Sequence, residues 1–201
     1  MPKKAFFALD AQRRQTLIER AMDIHIEHSY EEINLKILLD GLELNPATFY
    51  RYFDNRDELY VYLMELVDEK VLVEGKANYP ELSDKLFFPK NLDKELLTSR
   101  ERAFSDTLFS APDYILLRVC TGRSKEVLFA HAKNALRKMR YDGKLRAQVD
   151  EDMAAYMFAT SMFNLMLFFK EFGIDEPEMQ VKMRHYLYRD FFLYGMMGRD
   201  N

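Results

Sequence analysis

The apolar positions of this chain recur at helical spacing over most of its length. Between residues 11 and 28, Leu17, Ala21 and Ile24 follow one another at intervals of three or four, with polar residues between them. This period predicts an amphipathic α-helix with one buried face. Because similar patterns continue along the chain, the first expectation is a protein built from helices.

Two further helix starts follow within a short stretch. Asn34 is a favourable cap for a second helix that carries several leucines, and residues 41–44 are expected to form the turn after it. Asn45 then caps a third, very short helix, with Pro46 at the first helical position, where its missing N–H costs nothing. A helix, a turn of three or four residues and a second helix are typical of a helix-turn-helix unit.

A longer helix is predicted from Asn55 to about Lys76. Asn55 is a third asparagine cap, and Glu58 stands three residues later, the spacing of a capping box. Residues 78–90 contain two prolines and are expected to break the helical pattern.

The rest of the chain predicts further helices. Asp150 is expected to cap the helix that carries Met153 to Phe169, and Asp175 the last helix, with Glu178 as its capping-box partner. The predicted helices span residues 91–110, 112–120, 124–141, from the Asp150 cap to just before Gly173, and from 175 to about 195–198. We therefore predict an all-α protein of about nine helices, with one domain at residues 1–54 and a second at 55–201.

Composition supports this class and narrows the setting. Seven Gly and six Pro in 201 residues leave long uninterrupted stretches, which favours helices. Cys120 is the single cysteine, so an internal disulfide or a cysteine-based zinc site is excluded and a reducing cytoplasm is expected. The net charge of −4 means that any nucleic-acid surface must come from the placement of a few basic residues.

One stretch, Met153 to Phe169, carries no charged residue and is mostly apolar. It is shorter than the ~20 residues that a membrane-spanning helix needs, and it contains Thr160, Ser161 and Asn164. A helix that is apolar nearly all round is buried on several sides. We expect one of those sides to contact another subunit, and no membrane.

The most specific motif lies at residues 48–59, which read Thr-Phe-Tyr-Arg-Tyr-Phe-Asp-Asn-Arg-Asp-Glu-Leu. It resembles the end of the DNA-binding domain in the TetR family of bacterial transcriptional regulators, Thr-Phe-Tyr-x-x-Phe-x-x-Lys-x-x-Leu. The resemblance runs from about Arg13 to Leu59. It implies a three-helix DNA-binding domain with a helix-turn-helix, followed by a helical ligand-binding and dimerisation domain.

By this resemblance the third helix enters the DNA major groove. Pro46, Ala47 and Thr48 would face the groove, and Arg51 is the candidate for a base contact, because a guanidinium can bind guanine in bidentate fashion. Phosphate contacts are expected from Lys36, Tyr50, Tyr52 and Arg56, and Lys3 and Lys4 are candidates for a loose basic arm. The alternative for Arg51 is an ordinary solvated surface charge, and Phe49 and Phe53 are expected in the core.

The chain departs from the family pattern in and around the turn. Ser29 and Glu43 stand where the family usually has glycine, and Leu39 where it has a small alanine. A left-handed conformation at Glu43 would cost about 1–2 kcal/mol. Gly41 is a candidate to take over that role, which would rebuild the turn by a residue or two.

The resemblance also implies a homodimer, formed through the last two helices as a four-helix bundle, and a palindromic DNA operator. It implies a cavity for a small effector, which twelve Met and sixteen Phe would make adaptable and largely apolar. Each candidate for its lining is as readily explained as ordinary core, and Asn164 could equally bond its symmetry mate. The candidate ligand contacts are Phe104, Leu108, Tyr114, Leu117, Phe129, His131, Tyr156, Thr160 and Asn164.

The resemblance implies a ligand-responsive regulator, which in this family is more often a repressor than an activator. Two other function classes compete with it. A di-iron enzyme would need paired Glu-x-x-His motifs, and the sequence contains no such pair, no phosphate-binding glycine loop and no nucleophile motif. We therefore expect no catalytic residue, metal or cofactor. The second class, an all-helical dimeric interaction protein that has lost operator binding, remains open.

Overall fold

The computed structural model describes residues 1–78 and 96–196, and within these ranges every regular element is a helix. The predicted all-α class is confirmed. A 3₁₀ turn, Thr107–Ser110, follows the sixth helix, and the last helix continues as a π-helix, Tyr186–Leu193, and a short α-helical turn, Tyr194–Met196. The helices are α1 (Lys4–Phe7), α2 (Ala11–Glu27), α3 (Leu35–Leu42), α4 (Pro46–Tyr52), α5 (Arg56–Asn78), α6 (Ser99–Asp106), α7 (Asp113–Thr121), α8 (Arg123–Tyr141), α9 (Glu151–Glu171) and α10 (Pro177–His185).

Local capping signals set most of the helix starts as predicted. The side chain of Asn34 accepts a hydrogen bond from the backbone N–H of Ile37 at 3.0 Å, and Asp150 accepts one from Met153 at 2.7 Å. Each bond satisfies one of the backbone donors that a helix start leaves without an intrahelical partner. Gly143, at φ 72°, ends α8 in the left-handed conformation that glycine adopts readily.

The turn between α3 and α4 differs from the prediction. Glu43 itself adopts the left-handed conformation, at φ 54°, while Gly41 stays inside α3. Gly41 is needed for packing, since a Cβ at this position would lie 2.6 Å from Cδ1 of Ile24 on α2. The expectation that Gly41 would take over the turn is therefore wrong, and the turn keeps its length with a strained glutamate.

One predicted helix start is also wrong. Glu176, not Asp175, is the residue before α10, and its side chain makes no capping bond. The predicted start of the 91–110 helix lies outside the described residues. Within them this helix is not continuous, because α6 begins at Ser99 behind a complete capping box formed by Thr98 and Glu101. The predicted break at 78–90 and the end of the last helix lie almost wholly outside the described residues.

The packing divides the chain into two compact units. The first comprises Met1–Glu69 and Leu97–Val119, so it joins α1 to α4 with the start of α5, with α6 and with most of α7. Its core contains fully buried aromatic and aliphatic side chains from α3, α4 and α5, including Leu38, Phe49 and Leu63. The predicted domain boundary at residues 54 and 55 remains a prediction, because compact packing units need not coincide with independently folding domains.

The second unit comprises Lys70–Leu96 and Cys120–Asn201. Its described core lies where α8 packs on α9, with Tyr188 of the π-helical segment against Phe158 at a ring-centroid distance of 5.1 Å. The Ser161 hydroxyl donates to the Tyr188 hydroxyl oxygen at 3.0 Å. The buried residues of this cluster are Ala132, Leu136, Leu145, Ala155, Phe158 and Tyr188.

Helix α9 carries an apolar face that the second unit leaves uncovered. Met153, Met157, Phe168 and Phe172 are exposed and lie at helical spacing along it, with Asn164 near the middle. By length and composition alone α9 is able to cross a membrane, a property that a core helix of a soluble protein shares. A face of this kind is typical of contact with another subunit.

Candidate nucleic-acid interface

Helix α4, the candidate recognition helix, is fixed at its start by its own sequence. The side chain of Asn45 accepts a hydrogen bond from the backbone N–H of Thr48 at 2.8 Å, and Pro46 occupies the first helical position, as predicted. A helix of seven residues is not stable alone. Its position therefore depends on capping at both ends and on packing beneath it.

The two faces of α4 have opposite chemistry. Phe49 is fully buried, and its ring lies 5.7 Å from that of Phe53, so both are core residues as expected. On the other face Ala47, Tyr50 and Arg51 are exposed. The helix thus presents a small apolar group, a phenol and a guanidinium to solvent, the groups that contact base edges and phosphates in a major groove.

The remaining predicted DNA contacts near this face are also accessible. Pro46 is exposed, Thr48 is half-buried, and Lys36 is exposed on α3. Among the described residues, neither Arg51 nor Lys36 takes part in an ion pair within 4.0 Å. Their charges are therefore available to a polyanion.

Tyr52 does not fit its predicted role as a phosphate contact. It lies on the buried face of α4, with 4% of its surface exposed, and its ring packs edge-on against that of Phe6 at 6.0 Å. The hydrophobic spacing of α4 explains this, since Tyr52 follows Phe49 by three residues and shares its face. The structure therefore assigns Tyr52 to the core.

Arg56 is partly buried, with 31% of its side chain exposed, and its guanidinium is engaged by the protein itself. Its Nη1 donates to the carbonyl oxygens of Ile33 and, at 3.1 Å, of Tyr30, and its guanidinium lies 4.7 Å from the Tyr30 ring centroid. Burial and the hydrogen bond to Asp57 raise the pKa of the Tyr30 hydroxyl. These contacts tie the start of α5 to the segment before α3, so the structure does not support a phosphate contact at Arg56.

At the start of α5 the predicted Asn55 cap forms, but the second hydrogen bond of the capping box, from the Asn55 backbone N–H to the Glu58 side chain, does not. The backbone N–H of Glu58 donates to the Asn55 side chain at 2.9 Å. The Glu58 carboxylate turns instead to Arg118 of α7, at 2.5 Å. The capping box is therefore half formed, because a cation of the same unit competes for the glutamate.

The predicted loose basic arm is not loose. Residues 4–7 form α1, and the Lys3 ammonium donates to the Tyr50 carbonyl oxygen at 2.8 Å and pairs with Asp54 at 2.7 Å. Lys4 is exposed, and its ammonium has no ion-pair partner within the described ranges. The contacts of Lys3 join positions 47 residues apart, and no local signal in the sequence predicts them.

The turn before α4 places acidic and basic groups side by side. The Glu43 carboxylate lies 2.8 Å from Nη1 of Arg20 on α2. This pairing partly neutralises a negative charge next to the face that would approach phosphates. Glu43 is recognisable in the sequence as a departure from the family pattern, but no local signal predicts Arg20 as its partner.

The nine predicted ligand contacts do not form a single set. Phe104, Leu108, Tyr114 and Leu117 lie in the first unit, while the other five lie in the second. Phe104 is fully buried against Tyr60 and His25 in the first core, whereas Tyr156 and Asn164 are exposed. Among the others, His131 is buried, Phe129 and Thr160 are partly buried, and the Thr160 hydroxyl donates to the Tyr156 carbonyl oxygen at 3.0 Å.

The first unit contains a cavity of about 730 Å³ beside α2. Arg14, Ile18 and Met22 of α2 line it together with Tyr62 of α5 and Arg100 of α6. None of the nine predicted ligand contacts is among its lining residues, so the ligand assignment rests on the resemblance alone. Within the described residues, no group of three or more His, Cys, Asp or Glu side chains is placed to hold a metal ion.

Comparison with known proteins gives matches at the level of structure. No family model matches the sequence, and no curated protein matches it either. SmeT, the repressor of the Stenotrophomonas maltophilia multidrug efflux pump SmeDEF, is similar with a TM-score of 0.61 and 16% identity, over 94% of this chain and 92% of SmeT.

Two further solved structures agree. A protein described as a TetR-family transcriptional regulator from Syntrophomonas wolfei gives a TM-score of 0.61 at 15% identity, over 90% of this chain and 95% of its own. The fatty acid degradation regulator FadR from Bacillus halodurans gives 0.56 at 16% identity, over 90% of this chain and 96% of its own. With α2 to α4 placed as the motif predicts, this chain has the fold of the TetR-family transcriptional regulators.

Proposed function

We propose that this protein is a DNA-binding transcriptional regulator of the TetR type, and that it acts as a homodimer on a palindromic operator. The observation that carries the proposal is α4: a short helix capped by Asn45, buried through Phe49 and exposing Ala47, Tyr50 and Arg51. An exposed guanidinium lies next to an exposed phenol, whose ring packs edge-on against that of Phe49 at 5.5 Å. Exposed groups of this kind are the chemistry that DNA recognition requires.

The interface we propose is smaller than the set predicted from sequence. Pro46, Ala47 and Thr48 approach the groove, Arg51 reads a base, and Tyr50 and Lys36 bind phosphates. Tyr52 and Arg56 support this surface from within and do not touch DNA.

Regulation by a small, largely apolar effector is part of the same proposal. Effector bound among the helices of residues 55–201 would shift the population toward a state whose two α4 helices no longer fit the operator, which makes the protein a repressor released by its ligand. Such coupling is reciprocal, so operator DNA weakens effector binding by the same factor.

Selection of bound sequences from a random DNA pool tests the proposal directly. We expect a palindromic consensus, because a symmetric dimer presents two copies of α4. Binding to the selected sequence should weaken steeply as salt rises, since phosphate contacts release counterions. Failure to enrich any sequence at low salt would favour the all-helical interaction protein instead.

Replacement of both Tyr50 and Arg51 by alanine should abolish operator binding while the protein remains folded and dimeric. Arg51→Ala alone should weaken binding by about 1–3 kcal/mol and relax the preference at one base position. Lys144→Ala is the charge control, because Lys144 is exposed in the second unit. Operator affinity of the double variant equal to that of this control would overturn the assignment.

A further inference from the structure

The C-terminal end of α4 is capped by a residue from the beginning of the chain. The last carbonyl groups of a helix have no intrahelical donor. The backbone N–H of Phe53, the residue after α4, donates to the Phe49 carbonyl oxygen at 2.9 Å. Lys3 donates hydrogen bonds to two more carbonyl oxygens of α4. Its side-chain ammonium donates to the Tyr50 carbonyl oxygen at 2.8 Å, and its backbone N–H donates to the Tyr52 carbonyl oxygen at 2.8 Å.

The Lys3 ammonium is fixed by more than one contact. It lies 2.7 Å from the Asp54 carboxylate, just beyond the end of α4. The hydrogen bond from Lys3 holds the pKa of the Asp54 carboxyl below its usual range. A positive charge at this end of a helix also interacts favourably with the helix dipole.

The segment that carries Lys3 is anchored in the core of the first unit. Phe6 of α1 is fully buried, and its ring packs against those of Tyr52 at 6.0 Å, Phe53 at 4.9 Å and Tyr62 at 5.6 Å. The backbone N–H of Phe6 donates to the Lys3 carbonyl oxygen at 2.9 Å. The buried Phe6 ring therefore fixes the backbone position of Lys3, from which the side chain reaches the end of α4.

We propose that Lys3 is a positioning residue for α4, which holds the Tyr50–Tyr52 end of the recognition helix so that Tyr50 and Arg51 meet DNA in one pose. Only the expected effect on DNA binding rests on the proposed function, since the contact between Lys3 and α4 is present without DNA. It assigns Lys3 a role distinct from the basic arm that its charge and its place in the sequence predict. A basic arm binds phosphate, whereas Lys3 acts through the backbone of α4.

Lys3→Met and Lys4→Met form a matched pair for the test. Both remove one positive charge from adjacent positions, but only Lys3 contacts α4 within the described residues. Lys3→Met should lower operator affinity by about tenfold and leave the slope of log affinity against log salt unchanged. Lys4→Met should leave affinity within about twofold of wild type, and Lys3→Arg should restore most of the loss.

A phosphate contact at Lys3 would give a different result. Its removal would reduce the salt slope by about 0.9, the value for one phosphate contact on duplex DNA. A reduced slope for Lys3→Met, or an affinity equal to that of Lys4→Met, would overturn the proposal. The midpoint of thermal unfolding should be only about 2–4 °C lower in Lys3→Met than in Lys4→Met, so that both variants are folded at the temperature of the binding assay, which separates positioning of α4 from loss of the fold.

Hydrogen exchange without DNA tests the same contact independently. Backbone amides of the peptide covering Thr48–Phe53 should exchange about tenfold faster in Lys3→Met than in Lys4→Met, while peptides of α2 stay unchanged. Equal exchange rates in the two variants would overturn the capping role. If wild type binds no selected DNA but the exchange difference is present, the proposed function fails and the capping contact stands.

Discussion

At the scale of single residues, His25 is a buried group that the local packing keeps neutral. Its ring lies 4.8 Å from that of Tyr60 and 6.1 Å from that of Phe104, and 2% of the residue is exposed. Neither ring nitrogen has a hydrogen-bond partner within the described residues. Burial, and secondarily the positive charge of Arg56, lower the pKa of His25 from 6.5 to about 3.

Acid should therefore destabilise the protein through His25. In the unfolded chain His25 is protonated below about pH 6.5, whereas in the folded chain it is protonated only below about pH 3. The free energy of unfolding therefore falls as pH falls from 6.5 to 3. The slope approaches about 1.4 kcal/mol per pH unit. His25→Phe removes this contribution and keeps an aromatic ring in the site.

Urea unfolding at several pH values and one protein concentration measures this effect. The difference in free energy of unfolding between His25→Phe and wild type should be constant above pH 7 and should grow in favour of the variant below 6.5. Other titrating groups cancel in the difference. A difference that does not change with pH would show that His25 is not kept neutral by the folded state.

Glu43 is the residue with the clearest backbone strain in the described structure. Its φ of 54° costs a residue with a Cβ about 1–2 kcal/mol, and its ion pair with Arg20 returns less than about 1 kcal/mol because both side chains are exposed. Glu43→Gly removes the strain but also the ion pair, so its free energy of unfolding should exceed that of Glu43→Gln, which lacks the same ion pair, by about 0.5–1 kcal/mol after the entropy cost of glycine is deducted.

Glu43→Gln separates strain from charge, since it removes the ion pair and keeps the Cβ. It should leave the free energy of unfolding unchanged or slightly lower, as measured by urea unfolding. Because both variants lack the ion pair, a glycine variant no more stable than the glutamine variant would mean that the left-handed conformation at position 43 carries no net strain.

At the scale of elements, the length of α4 makes its caps important. Loss of an N-cap side chain costs about 1 kcal/mol. Asn45→Ala should therefore lower the free energy of unfolding by about 1 kcal/mol and weaken operator binding, whereas Asn45→Ser retains a capping oxygen and should restore most of both. The measurements are urea unfolding and a gel shift, and identical behaviour of the two variants would show that the cap is not what holds the start of α4.

The elements also show which information the sequence carries. Helix starts at Asn34, Asn45 and Asp150 were predictable because a cap acts on N–H groups two or three residues away. The contacts of Lys3 with Tyr50 and of Arg56 with Ile33 join residues 47 and 23 positions apart. They depend on packing, so the charges of these two residues suggested phosphate contacts that the structure does not support.

The same limit applies to the predicted site as a whole. The exposed members, Ala47, Tyr50 and Arg51, follow from helical periodicity once Phe49 is placed in the core. The ligand contacts required knowledge of how distant helices meet, and periodicity alone does not supply it. This explains why the DNA-facing prediction largely keeps its geometry while the ligand set divides between two packing units.

At the scale of the whole molecule, the main feature is the apolar surface that the second unit exposes to solvent. Besides the face of α9, the described part of the last helical segment exposes Met179, Tyr186, Phe191 and Tyr194. Contiguous apolar surface of this kind is uncommon on a monomer. A second copy of the chain would bury both sets of residues and would present two α4 helices to a two-fold operator.

A homodimer predicts a specific response to charge on α9. Wild type should have a solution mass of about twice 23.9 kDa by light scattering after size-exclusion chromatography. Met157→Glu places a carboxylate on the exposed face of α9 and should shift the protein toward the monomer, because a buried unpaired charge is costly at an interface. Operator binding should fall with it, since one α4 helix alone makes only half of the contacts.

Tyr141→Glu is the control for Met157→Glu. Tyr141 is an exposed apolar residue at the end of α8, with 92% of its surface accessible, so the same negative charge is introduced away from the face of α9. This variant should stay dimeric and bind operator as wild type does. A wild-type protein that remains a monomer at high concentration would contradict the dimer, and an unchanged mass for Met157→Glu would place the subunit contact elsewhere than on this face.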